Sequence, residues 1–355
     1  MGILITLIAL SFVIFIHELG HMLVAKKCGI GVIEFSIGMG PKIISKTVNE
    51  TMYSFRLLPF GGFVKLCGLD DEKNEEPEVP EEKKFQNKTI LQRMSVIVAG
   101  SFNNIILGYV MYFVLFLLVG VPQLSSVVNS ISPNSAAMKA GIQIGDHILS
   151  INQESIDDVQ KDMIDIIHQS KGESLAFTIK RDDKTIEKII APDFNETKNI
   201  SLIGVSLKVK RNRFSIQKTI IQSTTMFGQS VLLVFKSFQL LFSGNVSMKD
   251  LAGPVGIVQF ASHEMERGIP SFFQFVAMIS IALGVINLFP FPVLDGGHMV
   301  FLGIEGLIGR PLNQKLLNII NTIGIVILIS LMLFVVTNDI VFFNERRLFL
   351  DALPK

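Results

Sequence analysis

Charge is scarce in this chain. Only 18% of its 355 residues are Asp, Glu, Lys or Arg, against 49% hydrophobic, and the mean hydropathy is +0.49. That balance disfavours an ordinary soluble enzyme and fits a polytopic membrane protein carrying one soluble insert. The net charge is +1, and no basic patch with interleaved aromatics occurs, so a nucleic-acid partner is not expected. Cysteine is nearly missing. Cys28 and Cys67 form no CxxC pair and are both expected on the cytosolic side, which excludes a disulfide framework and leaves two free, packed thiols. The marks of a cleaved leader are also lacking, because no basic stretch precedes the first apolar run and no small-x-small site follows it. Residues 1–24 are therefore expected to be a retained transmembrane helix.

What the first apolar run does contain is His17-Glu18-Leu19-Gly20-His21, an HExxH zinc signature. On a helix, residues four apart share one face, so both imidazoles can reach one metal ion. Glu18, beside them, can activate a metal-bound water. Residues 2–16 carry no charged side chain, and Lys26-Lys27 close the segment. From His17 to Lys26 is roughly 13 Å of helix. If the lysines mark the interface, the metal lies inside the bilayer, where ionisable groups are costly and read as functional. This points to a peptidase that cuts within a membrane.

The remaining segments are read in order. The first span covers about 2–25. Residues 31–66 are β-like and punctuated by glycine, and predict one or two hairpins. Such backbone enters a membrane only where protein or a water-filled cavity satisfies it, as against the metal site, where it could pair with an extended substrate. An ordinary cytosolic hairpin is the alternative. The stretch 69–84 is acidic and broken by proline, a solvated loop without chemistry. The second span covers about 94–120, and completes a first half of the membrane core over 1–120. Residues 121–210 form a water-soluble insert. Residues 211–269 follow, with 214–242 read as an amphipathic helix on the outer interface. A second half of the core occupies 270–355. It holds a long apolar region, 270–308, broken at Asn287-Leu-Phe-Pro-Phe-Pro-Val-Leu-Asp295-Gly-Gly-His298, and a last span at 314–336. Pro290 and Pro292 remove backbone donors there. Lys and Arg cluster between the first two spans. The positive-inside rule then puts 26–93 in the cytosol, 121–269 outside, and both chain ends outside.

A catalytic zinc takes three protein ligands and a water. Beyond His17 and His21, Asp295 is preferred, because the broken loop can aim its short carboxylate. His298 could bind in its place or support it, and Glu305 is weaker. His263 and Glu264 fall in the external segment, on the wrong side.

Two resemblances follow from these residues. The run Ala140-Gly141-Ile142-x-x-Gly145-Asp146-x-Ile148-Leu149 resembles a PDZ domain, an α+β module that captures peptide on a sheet edge. Serving only as a steric lid is the other reading. HELGH at 17–21, the GMGP and LPFGGFVKLCG stretches, Gly253-Pro-Val-Gly-Ile257 and NLFPFPVLDGGH at 287–298 match, in order, the bacterial site-2 protease family. The match is to the PDZ-containing subgroup similar to the regulator-of-sigma-E protease. The resemblance implies Zn2+ held by His17, His21 and Asp295, Glu18 as general base, and Asn287 binding the substrate backbone. It also implies a multi-pass protein of the bacterial cytoplasmic membrane, with the active site toward the cytosol and the PDZ domain outside. Substrates would be single-pass membrane proteins, such as an anti-sigma factor or a remnant signal peptide, trimmed beforehand by another protease. The sequence departs from the family in having room for one PDZ domain where many relatives have two. It also reads Gly100-Ser101-Phe102-Asn103-Asn104 where Gly-Pro-x-x-Asn is common. A membrane PDZ scaffold with an idle metal site is the competing function. The intact Glu18 argues against it. A transporter is disfavoured by the hydrolase pattern and the lack of an inverted repeat.

Overall fold

The fold is given by a computed structural model, which describes residues 2–69, 80–196, 199–244 and 251–351. Most of the acidic stretch 69–84 lies outside the described residues. In chain order the elements are α1 (Gly2–Lys27), β1 (Val32–Val48), β2 (Thr51–Leu66), α2 (Ile90–Leu118), β3 (Val121–Ile131), α3 (Ala136–Lys139), β4 (His147–Ile151) and β5 (Glu154–Ser155). A π-helical turn, Val159–Asp165, leads into α4 (Ile166–Gln169). Then come β6 (Leu175–Arg181), β7 (Lys184–Ile190), β8 (Asp193–Asn195), β9 (Ile200–Leu202), β10 (Val205–Asn212), α5 (Ile216–Phe242), α6 (Pro254–Glu266), α7 (Ile269–Asn287), α8 (Asp295–Ile308), α9 (Gln314–Val341) and α10 (Phe343–Asp351). Two compact units result, one built from Met1–Phe116 with Ile216–Leu353, the other from Leu117–Ser215.

Four helices of the described residues are long and apolar enough to cross a membrane: α1 from Leu4, α2, α7 and α9. The α5 helix is not among them. The long region 270–308 is two helices. Pro290 and Pro292 cannot continue the backbone ladder of α7, and Val293 sits at φ 79°, a strained value for a β-branched residue. The chain then re-enters helix at Asp295. A Cβ at Gly296 would lie 2.2 Å from the Phe289 carbonyl oxygen, and one at Gly297 2.2 Å from that of Phe291. Only glycine lets α8 start this close to the turn.

The glycine-punctuated segment forms one pair of long strands joined at Asn49-Glu50, both left-handed, as a tight hairpin turn requires. Positive-φ Gly38, Gly40 and Gly61 bend the strands midway. Lys42–Val48 pairs with Thr51–Arg56, and Glu34–Ile37 pairs with both Met52–Phe55 and Gly62–Lys65. The hairpin is thus doubled over, with Gly62–Leu66 on an outer edge. Buried Glu34 holds it together by accepting from Ser54 Oγ at 2.6 Å and Arg56 Nη2 at 2.8 Å. Met22, Phe35, Leu66, Val96 and Leu302 pack α1, the hairpin, α2 and α8 into one core. A second core joins α1, α6 and α7 through Val13, Ala261, Phe272 and Val276.

In the other unit the sheet runs β10-β3-β4-β6-β7, with β5 beside β4. Alternation along β6 sends Leu175, Phe177 and Ile179 into a core with Val128, Ile148, Ile151 and Met163. Asp146 is buried there, bound twice by Arg181 at 2.8 Å and by the Gln143 N–H at 2.8 Å. Burial alone would raise its pKa. The Arg181 and Gln143 bonds outweigh burial and hold the carboxyl below the usual range.

Candidate metal centre

Helical spacing does the first part of the work. His17 and His21 stand one turn apart on α1, both buried, with their Nε2 atoms 3.2 Å from each other. Asp295, the first residue of α8, completes the group. Its Oδ2 is 3.5 Å from His17 Nε2, and its Oδ1 is 3.7 Å from His21 Nε2. The start of a helix favours a carboxylate through the helix dipole. Among the described residues, these three form the one cluster of His, Cys, Asp or Glu able to hold a metal.

Does the set fit zinc? Tetrahedral ligands at about 2.0–2.1 Å stand about 3.3–3.4 Å apart. The two Nε2 atoms are near that spacing, and one ligand atom from each of the three residues lies within 4.8 Å of the others, so the set is close enough to converge on one ion. The tautomers fit too. His21 Nδ1 lies 2.8 Å from the Val96 carbonyl oxygen, so Nδ1–H donates and Nε2 keeps a free lone pair. His17 Nδ1 lies 3.4 Å from the amide of Asn104, whose Oδ1 is buried without a partner. With the amide in its other orientation, equal in shape, Oδ1 accepts the Nδ1–H and His17 Nε2 is likewise bare.

Glu18 points toward the hairpin. The Val64 N–H donates to its carboxylate, and its Cγ would touch a Cβ at Gly62 at 3.7 Å. Asn287, the last residue of α7, has its Nδ2 3.5 Å from His17 Nε2. So His17, Glu18, His21, Asn287 and Asp295 converge on one place. His298 is not in the cluster. It lines a cavity of about 610 Å3 together with Arg93, Glu305 and Asn321. Glu305, the weaker third-ligand candidate, is instead paired with Arg93.

Four residues of α2, three of them in the Gly100–Asn104 stretch noted above, were given no role by the sequence reading. Val96 offers its carbonyl to His21. Gly100 leaves room for it, since a Cβ there would meet His21 Nε2 at 2.2 Å. Ser101 Oγ donates to Asp295 Oδ2 at 2.8 Å, and Asn104 faces His17. Val96, Gly100 and Asn104 recur four apart on one face of the helix with Ser101 at its margin, and the polar pair Ser101 and Asn104 within an apolar span was the available signal.

Comparison with known proteins supplies the family. Residues 5–331 match the model of Peptidase family M50. The chain belongs to peptidase family M50. A protein of Clostridium acetobutylicum, provisionally named a zinc metalloprotease, is 35% identical over 350 residues, covering 96% of this chain and 98% of its own. The regulator of sigma-W protease RasP of Bacillus subtilis is 30% identical over 419 aligned residues, covering 97% and 98%. The zinc metalloprotease RasP of Geobacillus kaustophilus is 29% identical over 409, covering 94% and 96%. In this M50 peptidase the matched region includes every residue of the cluster.

Proposed function

We propose that this zinc metalloprotease hydrolyses peptide bonds inside the transmembrane segments of single-pass membrane proteins. The observation that carries the reading is a cluster able to hold a metal, made of two histidines on an apolar, membrane-length helix and a carboxylate at the start of α8. His17, His21 and Asp295 are the ligands. Bound zinc supplies a Lewis acid that acidifies water and polarises a carbonyl. Glu18 accepts the proton of the attacking water and returns it to the leaving amine. The Val64 N–H bond fixes the carboxylate for that transfer. Asn287 donates its amide to the substrate backbone. A transmembrane helix hides its carbonyls in its own hydrogen bonds, so the substrate must unwind locally. The outer edge at Gly62–Leu66, next to Glu18, offers main-chain partners for the extended form.

The unit Leu117–Ser215 acts as a PDZ module. Its β10 is an edge strand, open to a peptide added alongside, and it screens substrates trimmed by another protease. The protein sits in the bacterial cytoplasmic membrane, with this unit outside and the metal toward the cytosol. The α5 helix packs along α7 and reaches the turn into α8, where Phe235 and Phe238 meet Phe289. Substrates are anti-sigma factors or remnant signal peptides, in line with the sigma-W regulation in the name of one relative.

The test is Glu18→Gln. Cleavage of a single-pass substrate should vanish while zinc content stays near wild type. Loss of zinc together with activity would show that Glu18 is a ligand and not the base.

A further inference from the structure

We propose that Ser101 is a positioning residue for the metal ligand Asp295, a role that rests on Asp295 being a ligand as proposed above. The hydroxyl is aimed unusually for its place. Buried Ser and Thr residues in apolar helices normally donate to the carbonyl one turn back. Ser11, Ser223, Thr224, Thr225, Ser230 and Ser237 do so in this chain, whether buried or exposed, while buried Ser280 on α7 donates across to the Asn104 carbonyl oxygen of α2 at 2.8 Å. Ser101, fully buried in the middle of α2, instead reaches across 194 residues of sequence to Asp295 Oδ2 at 2.8 Å. That oxygen is the one facing His17. A donor on Oδ2 fixes the rotation of the carboxylate about its Cβ–Cγ bond, so that Oδ2 stays toward His17 and Oδ1 toward His21.

The surroundings make this bond hard to replace. A Cβ at Gly284 would stand 2.7 Å from the Ser101 carbonyl oxygen, so α7 already presses against α2 at this level. No second donor to Asp295 occurs among the described hydrogen bonds. Farther along the same two helices, Arg93 on α2 is bound to Glu305 on α8. That pair holds α8 against α2 but touches no ligand atom. The helix contact therefore has two anchors, and only the Ser101 end acts on coordination. This is also the position where the sequence departs from Gly-Pro-x-x-Asn. A proline there would have no hydroxyl to give.

The experiment uses the purified full-length protein in detergent, stripped with chelator and titrated with zinc against a chromophoric competitor. Visible spectra of the cobalt-substituted protein are recorded in parallel. Ser101→Ala keeps the volume and the helix but removes the donor. It should weaken zinc binding by about 10–100-fold, the usual cost of losing a partner of a metal ligand, and alter the cobalt bands. Ser230→Ala removes a hydroxyl that bonds Tyr112 at 2.9 Å between α2 and α5, and should leave both readouts unchanged. Zinc affinity of Ser101→Ala within about twofold of wild type, well short of that cost, would overturn the role. Equal weakening in Ser230→Ala would overturn it too, by showing a general loss of helix packing. Asp295→Asn separates the two layers: wild-type affinity in that variant would refute Asp295 as the ligand, whatever Ser101 does.

Discussion

Gly100→Ala puts the architecture of the site to its sharpest test. The added methyl would stand 2.2 Å from His21 Nε2, 2.6 Å from Cε1 and 2.7 Å from Cδ2. Ordinary carbon contact needs the ring to recede by about 1.2 Å. It cannot pivot freely, because Nδ1 is tied to the Val96 carbonyl oxygen on the same helix at 2.8 Å. Metal–ligand distances tolerate about 0.2 Å. A displacement of about 1 Å in a catalytic group costs about 100-fold in rate, or about 2.7 kcal/mol of transition-state stabilisation. Zinc affinity should fall alongside. The helix itself should gain, since alanine is the better helix former by about 1 kcal/mol. Gly303→Ala, on α8 where nothing lies within 4 Å, supplies the matched control and should be active. The assay is turnover of a single-pass substrate, with zinc content and thermal unfolding measured on the same samples. Wild-type turnover and zinc content in Gly100→Ala would refute the ring placement on which the metal centre is built.

Other perturbations probe different parts of the molecule. Asp339→Ala removes the carboxylate that binds Arg346 at 2.8 Å and the N–H groups of Gly253 and Gly256 at 2.9 Å. It strands a buried guanidinium and should destabilise the fold by about 3–5 kcal/mol, read as a drop in unfolding temperature. Because the Asp146 pKa is lowered by folding, its contribution is complete above the unfolded carboxyl pKa of about 3.9 and is lost as pH falls below that value. Hydrogen exchange across residues 121–212 of the intact protein should accelerate below about pH 4, and Asp146→Asn should flatten that dependence. Deleting residues 124–207 should let the enzyme cut full-length, untrimmed substrate that the wild type refuses. A folded, zinc-loaded deletion variant that cuts neither full-length nor trimmed substrate would end the filter idea.

Local signals carried much of this molecule, and tertiary ones did not. The helical register of His17 and His21 and the break at Pro290 and Pro292 follow from spacing and backbone chemistry. Asp295 is preferred as the third ligand because a broken loop can aim a short carboxylate, but spacing alone does not dismiss His298 or Glu305. In the structure Asp295 arrives and Glu305 goes to Arg93. The doubling of the hairpin could not be read either. Its bends need positive φ at Gly38, Gly40 and Gly61, and a glycine in sequence announces that freedom without its use. The Gly253-Pro-Val-Gly-Ile257 stretch was visible only as a pattern. Its cause is a carboxylate 83 and 86 residues away that takes the N–H groups of both glycines.

The order in which the site's parts are synthesised has a bearing on safety. Asn287 follows His17 by 270 residues, and Asp295 comes later still. At about 5–20 residues per second, the ribosome needs roughly 15–55 s to cover that interval. With the proposed ligand set, the first helix throughout offers two imidazoles and a glutamate but no third ligand, so the nascent enzyme would have no chemistry to misdirect at neighbouring helices during insertion. On that proposal, competence would arrive only with the turn into α8, when about five-sixths of the 355 residues are made. A truncated product ending before Asp295 is, by the same reasoning, inert.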